Sequence, residues 1–283
     1  MASERGYRDK WLRYHTRYEN KADRIFRGVF QSWGKSINLD ELNVINYPEV
    51  VKASIDTEQL RSAYLEVYEA IGLMHGRRVG NAFNKDARES KFFIFGDFET
   101  ALQQFIRTYI NQIAFEYFKT VEQTYYNSIV KVIGQMVSEG QSTEDITTQL
   151  RKIVRRRSFY RWQARRIART EATAAANIGA MQAGQISGFV TNKVWISSND
   201  QRTRRIPEDQ FDHYVMNGVE VGLNEFFQVP TTTNVKGYEN MRYPGDRGGI
   251  GNNTTSAGNT INCRCTVAVI AARDEDGNLI REL

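Results

Sequence analysis

Only one of the chain's four prolines, Pro48, precedes residue 200; Pro207, Pro230 and Pro244 follow it. Proline removes a backbone donor and clashes with the preceding helical turn. The first two-thirds is therefore free to form long helices, and the last third is punctuated by loops. A first helix is expected from Tyr7 to Trp33, then an irregular connection from Gly34 to Ile55 containing Asn38, Asn43 and Asn46. From Thr57, the residues Leu60, Tyr64, Val67, Ile71 and Met74 recur at alternating steps of four and three, which places them on one helix face. Leu102, Phe105, Tyr109, Ile113, Tyr117, Val121 and Met136 predict a longer helix beginning near Asp97. About 40 residues at ~1.5 Å each would span about 60 Å.

Glu139-Gly140 breaks this pattern, and Thr143 is the expected cap of a short helix that carries Glu144 and Asp145 at its positive end and stops near Arg155. The next helix, from Phe159 to Gln185, has Ala168, Ala172, Ala176, Gly179 and Ala183 at helical spacing, a stripe small enough for close approach of a second helix. After Gly188 the period changes to two, at Val190 to Ile196 and at Val219, Val221 and Leu223. A polar loop from Tyr243 to Thr260 precedes an expected last strand, Ile261 to Ile270, and a charged tail. The expected fold is α+β. Residues 1–187 form an N-terminal domain of long α-helices with a basic segment at 151–169, and residues 188–283 a small strand-rich C-terminal domain.

At 283 residues the chain is long enough for two domains, and 41% hydrophobic against 25% charged residues marks it as globular rather than disordered. Met1 to Lys10 is polar, so no secretory signal is expected there, and no apolar run is long enough for a membrane span. Two cysteines exclude a disulfide framework and suit a reducing cytoplasm. Without a signal, the sequon at Asn252 carries no weight. A net charge of +5 tolerates polyanions without specifying one.

Charge concentrates in Arg151, Lys152, Arg155, Arg156, Arg157, Arg161, Arg165, Arg166 and Arg169, with no acid between them. Arg161, Arg165 and Arg169 share a helix face, where like charges repel. Two readings stand: contact of Arg155, Arg156, Arg157, Arg161 and Arg165 with DNA phosphate or an acidic protein surface, or pairing with carboxylates elsewhere in the fold or simple solvation.

Cys263-Arg264-Cys265 also reads two ways. On an extended strand both thiols share a face with Ile261, Val267 and Val269, as buried structural cysteines do. Alternatively, His213 and one of Asp200, Asp212 or Asp246 complete a zinc set. The first is the expectation, with no metal and no cofactor. His213 lies near Asp200, Arg202, Arg204 and Asp212 in sequence, a combination compatible with general-base chemistry, but no nucleophile motif or phosphate loop accompanies it. His15 and His75 have no evident partner. Phe92, Phe93 and Phe95, with Phe98, either fold back into the helices or anchor another subunit.

Taken in order, Ile167-Ala168-Arg169-Thr170-Glu171-Ala172, Asn177, Gly179, Lys193-Val194-Trp195, Asp200, Arg202-Thr203-Arg204, His213, Gly218, Phe226 or Phe227, Tyr243-Pro244-Gly245-Asp246 and Asn262-Cys263-Arg264-Cys265 resemble the signature of the phage Mu F-like minor head proteins. Arg205 to Asp212 is longer than that pattern expects, so this insertion must loop out if the flanking groups form one cluster. The resemblance implies a minor capsid protein of a tailed bacteriophage, present in several copies in the virion, at the capsid interior or portal vertex. It implies portal protein, major capsid protein and packaged double-stranded DNA as partners, and a role in head assembly or genome delivery. The charged family positions Arg169, Glu171, Asp200, Arg202, Arg204 and Arg264 are expected to form a structural ion-pair lattice, part of a structural cluster with Thr170, His213, Cys263 and Cys265, rather than a catalytic site. The rival classes are a virion-borne enzyme, ADP-ribosyltransferase-like or a nuclease, using Arg169, Glu171 and His213, and a plain DNA-binding protein.

Overall fold

The computed structural model describes residues 4–86, 95–112, 114–156, 158–248 and 255–281. Its first part is helical: α1 (Glu4–Lys35), α2 (Tyr47–Ala53), α3 (Thr57–Asp86), α4 (Phe95–Gln112), α5 (Ala114–Ser138), α6 (Thr143–Arg155) and α7 (Arg161–Gln185). Pro48 sits in the first turn of α2, where its missing N–H costs nothing. The expected long helix from Asp97 is described as α4 and α5, on either side of residue 113, which lies outside the described residues. The cap of α6 is Ser142 rather than Thr143: Ser142 is extended, and its Oγ accepts the Asp145 N–H at 3.2 Å.

α7 is the central element. Every residue from Thr170 to Gly184 is buried, so this helix is enclosed all round by its neighbours. Its small residues permit that. A Cβ added at Gly179 would stand 2.2 Å from the Gly72 carbonyl oxygen, and one at Gly76 would stand 2.7 Å from the Gly179 carbonyl oxygen. α3 and α7 therefore meet backbone to backbone. The inward face of α3 follows Leu60, Tyr64, Val67, Tyr68 and Ile71 and then rotates, so that His75 is buried and Met74 is 38% exposed. A strict 3.5-residue seam drifts on a straight 3.6-residue helix.

The strand-rich part contains β1 (Thr191–Ile196), β2 (Glu220–Gly222), β3 (Phe227–Pro230), β4 (Tyr238–Met241), the one-turn α8 (Ala257–Thr260) and β5 (Thr266–Ala271). β1 is central in an antiparallel sheet of order β2-β1-β5, with Trp195 opposite Val267, and β3-β4 form a separate hairpin. One continuous core runs from Trp11, Phe26 and Phe30 through α3 and α7 to Trp195, Phe227 and Val267. On the other face of the sheet, Tyr7 of α1 packs against the small cluster of Val194, Ile196 and Ala268, and its hydroxyl donates to the Val267 carbonyl at 3.1 Å. No helix among the described residues is long and apolar enough to cross a membrane.

The last strand begins at Thr266, not at Ile261, so Cys263 and Cys265 lie in the segment before it. The reason is a competition for backbone groups. The Thr173 hydroxyl donates to the Cys263 carbonyl at 2.6 Å, Trp11 Nε1 to that of Arg264 at 2.7 Å, and Asn177 Nδ2 to that of Cys265 at 3.5 Å. Side chains of α1 and α7 thus take the acceptors that a strand ladder would use. Asn262, at φ 60°, turns the chain into this segment.

Candidate functional site

The Arg-Thr-Glu triplet of α7 points in three directions. Arg169 donates to Glu19 of α1 at 2.9 Å, and Arg165 reaches the same carboxylate at 3.0 Å. Burial opposes ionisation of Glu19, but hydrogen bonds from Arg169 and Arg165 hold its carboxyl below the ordinary value. Thr170 Oγ1 accepts the Asn262 N–H at 3.0 Å, tying α7 to the turn before the cysteines. Glu171 is fully buried. It pairs with Arg247 and accepts the Tyr68 hydroxyl at 2.7 Å and that of Tyr64 at 3.4 Å. Desolvation raises its carboxyl above the ordinary range, although Arg247 and the two tyrosines oppose the rise. Arg247 also stacks over the Tyr117 ring at 4.3 Å. A narrow cleft of about 160 Å³ borders this group, lined by Tyr64, Tyr117, Thr170, Glu171, Arg247 and Ile261 among others.

The loop after β1 places Asp200 against Arg264. Arg204 donates to the Ile261 carbonyl at 2.5 Å and approaches Asp209 at 3.8 Å, whereas Arg202 is exposed and has no ion pair among the described residues. The charged family positions therefore form separate pairs rather than one lattice. Glu19 and Arg247, which complete two of these pairs, were not singled out from the sequence. Glu19 carried a signal: it follows His15 by four and precedes Ala22 by three on the buried stripe of α1. Residues 205–212 do loop out, since the N–H groups of His213 and Tyr214 both return to the Arg204 carbonyl, at 3.1 and 3.2 Å.

That return delivers His213 into the core. The Asp212 carboxylate accepts the N–H groups of Tyr214 and Val215, both at 3.0 Å, and fixes the turn. The imidazole stands edge-on to Trp195, with centroids 5.3 Å apart. Its Nε2 lies 2.5 Å from Asn259 Oδ1 on α8, and Asn259 Nδ2 donates to Glu239 Oε2 at 2.9 Å. The carboxylate can only accept, so it orients the amide; the amide oxygen then assigns the ring proton to Nε2. Nδ1 is left with its lone pair towards Cys263 Sγ at 3.6 Å and Cys265 Sγ at 3.7 Å. All three residues are buried. The hydrogen bond with Cys265 pulls the Cys263 thiol below its ordinary value, with help from Arg204 and Arg264, and pushes Cys265 well above it.

The carboxylates considered as a fourth partner are engaged elsewhere. Asp200 holds Arg264, Asp212 holds its own turn, and Asp246 makes a two-pronged contact with Arg242 at 2.9 and 3.0 Å. The other histidines are also connected: His15 Nε2 meets Thr173 Oγ1 at 2.9 Å, and His75 Nδ1 faces the Tyr18 hydroxyl at 3.4 Å.

The basic segment divides in two. Arg151, Lys152, Arg155, Arg156 and Arg161 are exposed and have no carboxylate partner among the described residues, while Arg165 and Arg169 are tied to Glu19. Trp162 projects beside them, 67% exposed, with the Arg166 guanidinium 4.6 Å from its ring. Arg157, Phe92 and Phe93 lie outside the described residues; Phe95 opens α4.

Residues 127–268, from within α5 to within β5, match the family model described as Phage Mu protein F like protein. The match extends further into the helices than the Arg169 to Cys265 signature. No curated protein and no solved structure matches the chain.

Proposed function

The chain belongs to the phage Mu protein F like family, and we propose that it acts as a minor head protein of a tailed bacteriophage. In this reading it works at the portal vertex or inner capsid, in head assembly or genome delivery, with several copies per particle. The observation that carries the reading is the closure of three of the family's charged positions, Arg202 not among them, on partners inside the fold. Glu171 is sealed by Arg247, Asp200 by Arg264 and Arg169 by Glu19. The pair of Glu171 and Arg247 is buried and those of Asp200 and Arg169 are partly exposed; groups committed to partners in this way tie α7 and the loop after β1 to their neighbours and favour a rigid module.

The division of labour follows from the elements. α1, at 32 residues, is about 48 Å long at ~1.5 Å per residue and gives reach. The sheet and the cysteine-bearing segment, clamped to α1 and α7, provide a preformed docking surface for portal or major capsid protein. The exposed arginines of α6 and the start of α7 offer positive charge to packaged DNA. No reaction is assigned to the chain.

The test is its position in whole particles, by cross-linking and particle imaging. Cross-links from the strand-rich region to the portal or inner capsid, and defective heads when the gene is deleted, are expected. Normal heads containing none of the chain, together with turnover of a nucleotide by the purified protein, would overturn the reading in favour of an enzyme.

A further inference from the structure

We propose that His213, Cys263 and Cys265 form a Cys2His site for a thiophilic divalent ion, zinc above all, which pins the segment before β5 to the turn that follows residues 205–212. Of the two readings that the sequence allows, buried structural cysteines on a strand or a zinc set with His213 and an aspartate, this takes up the second without the aspartate. Among the described residues, these three are the group whose metal-binding atoms converge, all within 4.8 Å of one another.

The distances fit an ion. Zinc bound tetrahedrally at ~2.05 Å to nitrogen and ~2.3 Å to sulfur places N and S about 3.6 Å apart. Nδ1 lies 3.6 and 3.7 Å from the two sulfurs. The tautomer fits as well, since the lone pair and not the proton of His213 faces the thiols. Behind the ring, Asn259 and Glu239 supply the outer hydrogen-bond chain that metal-bound histidines characteristically have. The cysteine backbone is held in advance by the donors from Thr173, Trp11 and Asn177. One nitrogen and two sulfurs select zinc over magnesium or calcium. Asp200, Asp212 and Asp246 are committed elsewhere, so the three side chains make up the protein's share of the site.

The experiment uses the full chain expressed in zinc- or cobalt-supplemented medium and purified under reducing conditions. Elemental analysis is expected to find one ion per chain. The cobalt form should show thiolate-to-metal charge-transfer absorption in the near ultraviolet, and Cys265→Ser should abolish it with the helical circular dichroism retained. Asn259→Ala should bind zinc about 10- to 100-fold more weakly, because its place is behind the ligand. If Cys265→Ser does not fold, the parent protein decides. Folded, reduced parent protein carrying substoichiometric zinc and cobalt overturns the proposal, and so does a Cys263–Cys265 disulfide in protein purified without reductant from the same medium. None of these readouts depends on whether the chain reaches a phage head.

Discussion

The carboxylate of Glu171 is closed on one side by the guanidinium of Arg247 and on the other by the Tyr68 hydroxyl, which donates to its second oxygen at 2.7 Å. Truncating one member of such a pair leaves the other charged in a medium that solvates it poorly. Glu171→Ala should therefore lower unfolding free energy by about 3–5 kcal/mol, measured by urea denaturation. Glu171→Gln retains an acceptor for Tyr68 but still strands Arg247, so it should also destabilise, by less. Unchanged stability with selectively lost head assembly would point instead to an active site in the adjoining cleft.

Gly179 and Gly72 make the second close approach of α7, and here the physics is steric. The 2.2 Å separation between a new Cβ at Gly179 and the Gly72 carbonyl oxygen involves backbone on both sides, with no flexible side chain to move aside. Gly179→Ala would raise helix propensity by about 1 kcal/mol but forces α3 and α7 apart. A net loss of about 2 kcal/mol or more is expected, at the upper part of the usual overpacking range. A neutral or stabilising effect in thermal unfolding would show that the two helices do not cross at these residues.

The long helices were legible because their signals are local: the absence of proline before residue 200 apart from Pro48, and the recurrence of apolar residues at helical spacing. The small-residue stripe of α7 likewise announced a close packing face. What stayed hidden depends on groups far apart in sequence. Nothing near Cys263 says that Thr173, Trp11 and Asn177 will take its neighbouring carbonyls and delay the strand to Thr266. The β3-β4 hairpin was missed because its inward positions include Glu239, which is buried to orient Asn259 and so breaks the apolar alternation. Arg247 sits in a glycine-rich polar stretch that reads as loop, and only the fold brings it to Glu171.

Acid should destabilise the chain before its carboxylates titrate. Burial, with Arg78 nearby, pushes His75 down to about 3, against about 6.5 in an unfolded chain. Between these values the unfolded state binds the extra proton, so stability rises with pH across this window and is lost as pH falls below about 6.5. The slope from this residue is about 1.4 kcal/mol per pH unit. His15, brought to about 4 chiefly by burial despite Glu19, acts in the same direction. Urea midpoints between pH 7.5 and 4.5 should fall accordingly. The fall should be shallower in His75→Phe, a substitution that suits a ring already packed against Trp11 and Tyr18; an identical slope in that variant would sink the assignment.

The two halves of the basic segment should behave differently towards DNA. Arg155, Arg156 and Arg161 are exposed and unpaired among the described residues, so replacing all three by alanine should weaken binding and reduce the slope of log K against log salt by about 0.9 for each phosphate that is no longer neutralised. Arg165 is held by Glu19 at 3.0 Å. It shares that single carboxylate with the more buried Arg169, so its charge is only partly compensated, and Arg165→Ala should lower the slope by less than Arg161→Ala does. Titrating a duplex oligonucleotide at several salt concentrations separates the cases. A flat salt dependence in the parent protein would remove DNA from the set of partners, and equal effects of Arg165→Ala and Arg161→Ala would mean that pairing with Glu19 does not withdraw Arg165 from the surface.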